Sequence, residues 1–299
     1  MVPGMADASP GFSVVLAGGG CKTFWGMGVL RSIAGLLPPI DHWAGTSAGA
    51  IMALVRVADR EAESLEHFLA ATRNNPRNFY PRHLLRGRPV FPHEGIVRDA
   101  LRFIFADGGF ARIRRGPPVH ILQSYVVPGM PTLRTGIAAF REFDRRNRIG
   151  RLHGPQLPTP GLGVDVVRSI DATDPDQLLE WVLMSSTAPP VTRMLRRAGR
   201  RYLDGALVDN VPVRALPEQA HRGRILVLLS APEKVARRPL RLPQGGQILY
   251  LGPADFPPVK TWDYTSPDAI LATYELGQRE GEVLRGRVEA LLAAPVGGR

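Results

Sequence analysis

The sequence predicts an α/β fold in which short parallel strands alternate with helices. An apolar run at residues 12–17 stops at three glycines, and residues 23–37 then place apolar side chains at helical spacing. A second run at residues 40–44 meets a glycine-containing turn and continues into an apolar helical stretch at residues 51–58. Strand, turn and helix thus occur twice in succession, which predicts parallel strand pairing with helices on the faces of the sheet.

The same pattern continues less regularly along the chain. We predict further strands at residues 119–127, 200–203 and 225–230, and helices at residues 177–186 and 267–293. The last helix offers six candidate packing residues: Ile270, Leu271, Tyr274, Leu276, Val283 and Leu284. Segments rich in proline and glycine predict loops at residues 73–92, 108–118, 150–160 and 232–258. No repeat or linker divides the chain, so a single domain over residues 1–299 is expected.

The composition is that of an ordinary globular protein, with 44% hydrophobic and 22% charged residues among 299. A lone cysteine, Cys21, excludes an internal disulfide and a cysteine-based zinc cluster, which favours a reducing compartment. Residues 1–10 lack the pattern of a signal peptide, and the apolar runs are too short to cross a bilayer. We therefore expect a soluble, cytoplasmic protein.

The net charge of +11 has two explanations, which the sequence leaves open. Only Lys22, Lys234 and Lys260 are lysines, so the positive charge is nearly all arginine, as a GC-rich coding sequence would produce. The alternative is a basic surface that attracts an anionic partner such as a membrane. No basic motif interleaved with aromatic residues is present, so a nucleic-acid partner is not expected.

A candidate nucleophile lies between the second predicted strand and its helix, in the motif Gly45-Thr46-Ser47-Ala48-Gly49. Flanking glycines permit the sharp turn that lifts a serine hydroxyl above the sheet beside a helix N-terminus, which is a nucleophile elbow. The alternative is a glycine-rich turn in which Ser47 only caps the helix.

Candidate oxyanion donors follow the first strand, at Gly18, Gly19, Gly20, Cys21 and Lys22. Residues without side chains let successive amides point into one small volume near a helix N-terminus. A phosphate-binding loop is excluded because it would require glycine at Leu16 and Cys21, and Thr23 breaks a dinucleotide-binding pattern. A glycine turn without any ligand remains the alternative.

The general base is not an obvious histidine. None of the seven histidines occupies a recognisable catalytic context; we expect packed or loop positions for His42, His153 and His221. Asp204 instead stands at the end of a predicted strand, directly before Gly205, where a tight turn could aim its carboxylate into a cleft. Asp-Gly is also a common turn dipeptide, so by itself this motif is weak.

Together the three motifs, in this order, resemble the signature blocks of the patatin-like phospholipase family of bacterial type. The resemblance extends to residues 184–190 and 207–212 and covers roughly residues 12–230, leaving 231–299 as a C-terminal extension ending in a helix. It implies a three-layer α/β/α sandwich with a mostly parallel central sheet. Thr23 stands where the family usually has glycine, and Pro189-Pro190 departs from the family pattern near the cleft.

The resemblance also implies site roles. Ser47 would be the nucleophile, Asp204 its sole partner in a Ser-Asp dyad, Gly45 and Gly49 the elbow glycines, and residues 18–22 the oxyanion hole. An ordinary aspartate is too weak a base for a serine hydroxyl. We therefore expect Asp204 to be partly desolvated, which would raise its pKa.

The expected function is hydrolysis of lipid acyl esters, of phospholipase A or lysophospholipase type. A general carboxylesterase or transacylase is the alternative within enzymes, and a non-enzymatic lipid-binding protein is the alternative outside them. No cofactor is expected, and no acidic loop predicts calcium or another metal. An arginine stretch could attract anionic head groups or form a solvated hairpin: Arg193, Arg196, Arg197, Arg200 and Arg201. The sequence does not indicate an oligomeric state.

Overall fold

The computed structural model describes residues 11–86, 89–154 and 159–297. The strands are β1 (Phe12–Leu16), β2 (His42–Thr46), β3 (Val119–Val126), β4 (Leu162–Arg168), β5 (Arg196–Arg197), β6 (Arg200–Leu203), β7 (Arg224–Leu228), β8 (Leu240–Arg241) and β9 (Gln247–Leu251). The helices are α1 (Phe24–Ile33), α2 (Ala48–Val57), α3 (Glu61–Arg73), α4 (His93–Phe105), α5 (Gly109–Arg115), α6 (Thr132–Arg148), α7 (Pro175–Ser185) and α8 (Pro267–Ala293).

All these strands belong to one sheet, in the order β5-β6-β3-β2-β1-β7-β9-β8, with β4 also paired to β3. The five central strands β3, β2, β1, β7 and β9 run parallel, whereas the short outer strands pair antiparallel. The predicted α/β class with a mostly parallel central sheet is confirmed. The carboxyl ends of β1 and β2 lie side by side, which brings together the two glycine-containing turns that follow them.

Alternate side chains of the central strand β1 enter two separate cores. Val14 and Leu16 pack into the larger core with residues of α1, α2, α7 and α8, while Val15 and Ala17 face the opposite core. The short turns after β6 supply many side chains of that opposite core. A third, smaller cluster on the same face of the sheet contains Ala139 of α6. Helices on both faces of a buried sheet make the three layers that the family resemblance implies.

Several predicted elements need correction. The segment predicted as a loop at residues 108–118 contains α5, and the loop predicted at residues 232–258 contains β9, a parallel strand beside β7. Residues 248–251 of β9 are all apolar, but this short run lies in a segment rich in proline and glycine, and the prediction gave that composition more weight. Helices α3, α4 and α6 were not predicted either, because their buried faces are narrow and interrupted by charged residues.

The C-terminal helix α8 has the predicted bounds and packs closely on α1. A Cβ atom at Gly28 would collide with the carbonyl of Tyr274, and one at Gly277 with the carbonyl of Trp25, so glycine permits this contact. Of the candidate packing residues, Ile270 is buried, but Val283 is 83% exposed and makes no core contact. Within the described ranges no helix is long and apolar enough to span a membrane. The expectation for residues 1–10 lies outside the described part of the chain.

Candidate active site

Ser47 occupies the turn between β2 and α2 in a strained backbone conformation. Its φ of 51° and ψ of −128° are rare for a residue with a side chain, as expected at a nucleophile elbow. A Cβ atom at Gly45 would meet the backbone of Ala50, and one at Gly49 would meet the carbonyl of Leu16. The two flanking glycines therefore allow the helix to start directly against the strand ends.

A buried serine that the sequence analysis did not single out supports this turn. The backbone amide of Ser47 donates to the Ser185 hydroxyl at 2.9 Å, and this hydroxyl donates to the carbonyl of Leu122 at 2.6 Å. Ser185 thus links the elbow to α7 and β3. The family resemblance had drawn attention to residues 184–190, but no local pattern identifies which hydroxyl of that segment is buried.

Asp204 directly follows β6 and caps the short turn after it. One carboxylate oxygen accepts the amide of Ala206 at 2.8 Å, and the Ser47 side chain lies near the carboxylate. Burial raises the pKa of Asp204 to about 6, because the loss of solvation outweighs the Ala206 amide and the Ser47 hydroxyl, which both lower it. A Cβ atom at Gly205 would collide with Thr46 Oγ1 and the Leu122 carbonyl, which explains the glycine after the aspartate.

The glycine turn after β1 presents fewer amides to the site than predicted. The amides of Gly18, Cys21 and Lys22 donate to backbone carbonyls of Asn210, Thr261 and Gly19, at 3.0, 3.1 and 3.2 Å. Because these three amides are already engaged, the predicted five-residue oxyanion hole is too broad. Among the described residues, the amides of Gly19 and Gly20 have no hydrogen-bond acceptor.

The orientation of these two amides follows from the peptide planes. In a trans peptide the carbonyl and the amide point in opposite directions, so holding one oxygen fixes the neighbouring N–H. The Gly18 carbonyl accepts from Ser230 Oγ at 2.5 Å and from Asn210 Nδ2 at 3.4 Å, which fixes the Gly19 amide. The Gly19 carbonyl accepts from the Lys22 amide, which fixes the Gly20 amide.

Comparison with known proteins identifies the family. The sequence model of the patatin-like phospholipase family matches residues 14–217, which include the glycine turn, Ser47 and Asp204. The chain belongs to the patatin-like phospholipase family. Among solved structures it is similar to VipD from Legionella pneumophila, with 12% identity and a TM-score of 0.45, over 93% of this chain and 67% of that one. No curated protein matches the sequence. Patatin-like phospholipases are generally lipid acyl hydrolases.

In this patatin-like protein six of the predicted site residues line one cavity of about 500 Å³, whereas Cys21, Gly45 and Gly49 do not line it. Its floor contains Gly18, Gly19, Gly20, Ser47 and Asp204. The walls are largely apolar: Ile51, Val97, Phe140, Phe143, Leu183, Leu195, Leu207, Phe256, Trp262 and Tyr264. A second apolar cavity of about 50 Å³ shares Ile51, Val97 and Tyr264 with the first and is also lined by residues of α2, α3 and α4.

Cys21 and Lys22 differ in how they relate to this cavity. Cys21 is buried below the turn, where loss of solvation raises the pKa of its thiol far above the ordinary value and keeps it unreactive. Lys22 lies at the cavity wall, with its ammonium group 5.2 Å from the centre of the Phe256 ring. The backbone amides of both residues are already hydrogen-bonded to carbonyls, so neither amide is available to a ligand in the cavity.

The histidines are engaged elsewhere. His42 lies 3.3 Å from His120, His153 binds the Tyr250 hydroxyl at 2.7 Å, and His221 binds a backbone carbonyl. His93 lines the cavity wall, but its Nε2 binds the carbonyl of Trp262 at 3.1 Å. Within the described part of the chain, no histidine is hydrogen-bonded to Ser47 or Asp204.

The predicted arginine stretch forms a hairpin whose side chains are mostly paired. Arg197 and Arg200 bind Asp165, and Arg201 donates to the Thr132 hydroxyl. Arg193 alone of this stretch lines the cavity, where it binds Glu94. The stretch is therefore mainly a paired surface hairpin, with one arginine at the cavity. In the described ranges no group of histidine, cysteine or acidic side chains is arranged to hold a metal ion.

Proposed function

We propose that this protein is a serine acyl-ester hydrolase acting on lipids, of phospholipase A or lysophospholipase type, with Ser47 as nucleophile and Asp204 as its only base. One observation carries the proposal. The Ser47 side chain lies near a buried carboxylate of raised pKa, and the same cavity is lined by two glycines whose amides lack another acceptor. Such an arrangement has the three parts that acyl transfer needs.

In the first half-reaction, the Ser47 hydroxyl attacks the ester carbonyl carbon while Asp204 takes the hydroxyl proton. The carbonyl oxygen becomes an oxyanion and is stabilised by the amides of Gly19 and Gly20. The tetrahedral intermediate then breaks its bond to the alkoxy group. Asp204 returns the proton to that leaving group, so that an alcohol departs and an acyl-enzyme remains.

In the second half-reaction, water takes the place of the alcohol. Asp204 accepts a proton from the water as its oxygen attacks the acyl carbonyl, and the same two amides stabilise the second oxyanion. When the bond to Ser47 breaks, Asp204 protonates the serine oxygen. The products are a free acid and the regenerated enzyme, so the cycle consumes one ester and one water.

The cavity supports an acyl chain as the bound group. Its walls next to Ser47 are aliphatic and aromatic, and apolar walls favour a hydrocarbon over a polar substrate. The small second cavity adjoins the first and is lined almost wholly by apolar residues, among them Phe24, Met27, Met52, Val55, Phe68 and Ile104. Its volume of about 50 Å³ could hold about two methylene groups in a chain bound to Ser47.

A fluorophosphonate probe and product analysis test this function together. We expect the probe to label wild-type protein at Ser47, and mass spectrometry of a mixed lipid extract to reveal released fatty acid. Ser47→Ala should abolish both signals, and Asp204→Asn should reduce hydrolysis by at least about 10³-fold. Ser32→Ala and Asp99→Asn, which alter a serine and an aspartate outside the cavity, serve as controls. Near-normal hydrolysis by Asp204→Asn would contradict the proposed role of the carboxylate.

A further inference from the structure

The solvent side of α6 is apolar, which reverses the usual arrangement of a surface helix. Leu133, Ile137 and Phe140 are 76%, 45% and 41% exposed, and their spacing of four and three residues places them in one stripe. The opposite side of the helix, with Thr135 and Ala139, is buried. A helix that only packed on the sheet would place its polar residues where this stripe is found.

This stripe continues into the mouth of the Ser47 cavity. Phe140 belongs to both, because it is partly exposed and also lines the cavity. Phe256 and Trp262, from the segment after β9, also line the cavity while they are 71% and 43% exposed. Exposed apolar side chains from two separate segments therefore line the cavity, and the stripe continues this apolar surface along α6.

Positive charge flanks the stripe. Helix α6 carries five arginines against two acidic residues. Arg134 and Arg141 lie beside the stripe, about 60° and 40° around the helix axis from Ile137. Neither has an acidic partner among the described residues. Glu142 and Asp144 are neutralised by Arg145 and Arg148, at 2.8 and 2.6 Å. An apolar stripe beside unpaired arginines is the pattern of a helix that lies in the interface of an anionic bilayer.

We propose that the stripe of α6 and the aromatic residues at the cavity mouth dock this protein on an anionic lipid bilayer. The inference rests on the proposed function, since a bilayer would supply the substrate directly to the mouth. A protein partner on the same surface would cover the entrance and exclude substrate. Exposed tryptophan and arginine at the contact fit a lipid interface, where aromatic rings lie among head groups and guanidinium groups bind phosphates.

Helix α6 is also hydrogen-bonded to the turn that follows Asp204. The buried guanidinium of Arg146 donates to the carbonyls of Leu207 and Val208, at 2.6 and 2.9 Å. These carbonyls follow Asp204 within four residues. The contact fixes α6 relative to the cavity floor, so a bilayer bound to the stripe would lie at a defined position over Ser47.

Site-specific fluorescence tests the docking surface directly. The only native cysteine is buried, so a cysteine introduced on the surface can be labelled selectively. We would label Ile137→Cys with an environment-sensitive nitrobenzoxadiazole dye in a Ser47→Ala background, which prevents hydrolysis during the measurement. Leu240→Cys is the matched control, because Leu240 is 46% exposed and lies on the opposite edge of the sheet.

With vesicles of phosphatidylglycerol and phosphatidylcholine, we expect a blue shift and quenching by lipid-borne nitroxide at position 137 but not at 240. In sedimentation assays, Leu133→Asp and Ile137→Asp should each lower vesicle affinity about tenfold, whereas Leu240→Asp should not. Binding should also weaken when salt rises from about 0.1 to 1 M, because the Debye length falls from about 10 to 3 Å. Matching thermal melting curves would show that the variants fold.

Three results would overturn the docking proposal: equal signals at 137 and 240, no vesicle binding, or a signal at 137 that depends on protein concentration without vesicles. The last would indicate a second copy of the chain on this surface. Failure of the proposed function is distinguishable from failure of docking. Vesicle binding through α6 without lipid hydrolysis by wild type would contradict the function, and hydrolysis of dispersed lipid without vesicle binding would contradict the docking.

Discussion

The hydroxyl of Ser230 donates a hydrogen bond of 2.5 Å to the carbonyl of Gly18. This contact joins the end of β7 to the glycine turn after β1, two segments that are far apart in the sequence. Because the Gly18 carbonyl and the Gly19 amide belong to one rigid peptide plane, Ser230 sets the direction of the amide of Gly19, which lines the same cavity as the candidate nucleophile. Ser230 is thus a positioning residue for the proposed oxyanion hole.

Removing this hydroxyl should weaken catalysis more than substrate binding. For Ser230→Ala we expect kcat toward a p-nitrophenyl ester to fall about three- to tenfold with little change in KM, since the Asn210 side chain still holds the Gly18 carbonyl. Ser230→Thr keeps a hydroxyl and should restore most of the activity. A change confined to KM would contradict a role for Ser230 in orienting the amide.

Ser185→Ala tests the support of the elbow. The substitution leaves the amide of Ser47 without its partner, and the carbonyl of Leu122 keeps only the longer hydrogen bond from the Thr46 hydroxyl, at 3.3 Å. We therefore expect a loss of about 1–3 kcal/mol in unfolding free energy and a lower kcat. Ser169→Ala is a matched control, because Ser169 is equally buried and accepts the amide of Val119, away from the cavity. We expect it to lose stability while kcat stays close to wild type. Equal kcat values for the two variants would show that Ser185 has no particular role at the elbow.

The pH dependence of activity should follow Asp204. Only the carboxylate can accept the Ser47 proton, and burial raises its pKa to about 6. We therefore expect kcat/KM to rise tenfold per pH unit below about 6 and to level off above it. Steady-state kinetics between about pH 4.5 and 8 would measure this rise in kcat/KM. A value of kcat/KM that already levels off near pH 4 would indicate a solvated carboxylate instead.

The free energy of unfolding should also depend on Asp204, but it should fall, rather than rise, as the pH increases. The pKa of Asp204 is raised from 3.8 to about 6, so the folded state binds more protons than the unfolded state between these values, and stability is lost as pH rises through this range. The full cost above pH 6 is about 3 kcal/mol. Asp204→Asn removes this titration while retaining an oxygen for the Ala206 amide. Denaturant unfolding should find the Asp204→Asn variant more stable than wild type at pH 8 and much less so at pH 4; an equal difference at both would contradict a buried, charged Asp204.

Local sequence patterns predicted the elements in which neighbouring residues determine conformation. The runs that become β1 and β2 end at glycines where the chain must turn sharply, and the helices that follow have apolar residues at helical spacing. Pro267 and a polar-faced pattern located α8 to the residue. By contrast, the short apolar run of β9 lies in a segment rich in proline and glycine, and only its pairing with β7, which is distant in sequence, identifies it as a strand.

The candidate site also combines residues that local motifs predict with residues that depend on partners remote in sequence. The motifs predicted Ser47, Asp204 and the glycine turn as site residues, because unusual backbone geometry restricts which residues can stand there. They could not distinguish the amides of Gly19 and Gly20 from those of Gly18, Cys21 and Lys22, since the competing acceptors come from Asn210 and Thr261 elsewhere in the chain. Ser185 and Ser230 were missed for the same reason: their partners are remote in sequence.

By itself, then, the sequence determined the parallel α/β class, the elbow and the family, all of which depend on short-range steric requirements of glycine, proline and apolar spacing. The tertiary structure decided the contact of Ser47 with Asp204, the raised pKa of that carboxyl and the apolar outer face of α6. Each of these depends on which distant segments exclude water from a group or leave it exposed. Burial and exposure arise from packing of the whole chain, and no short stretch of residues specifies them.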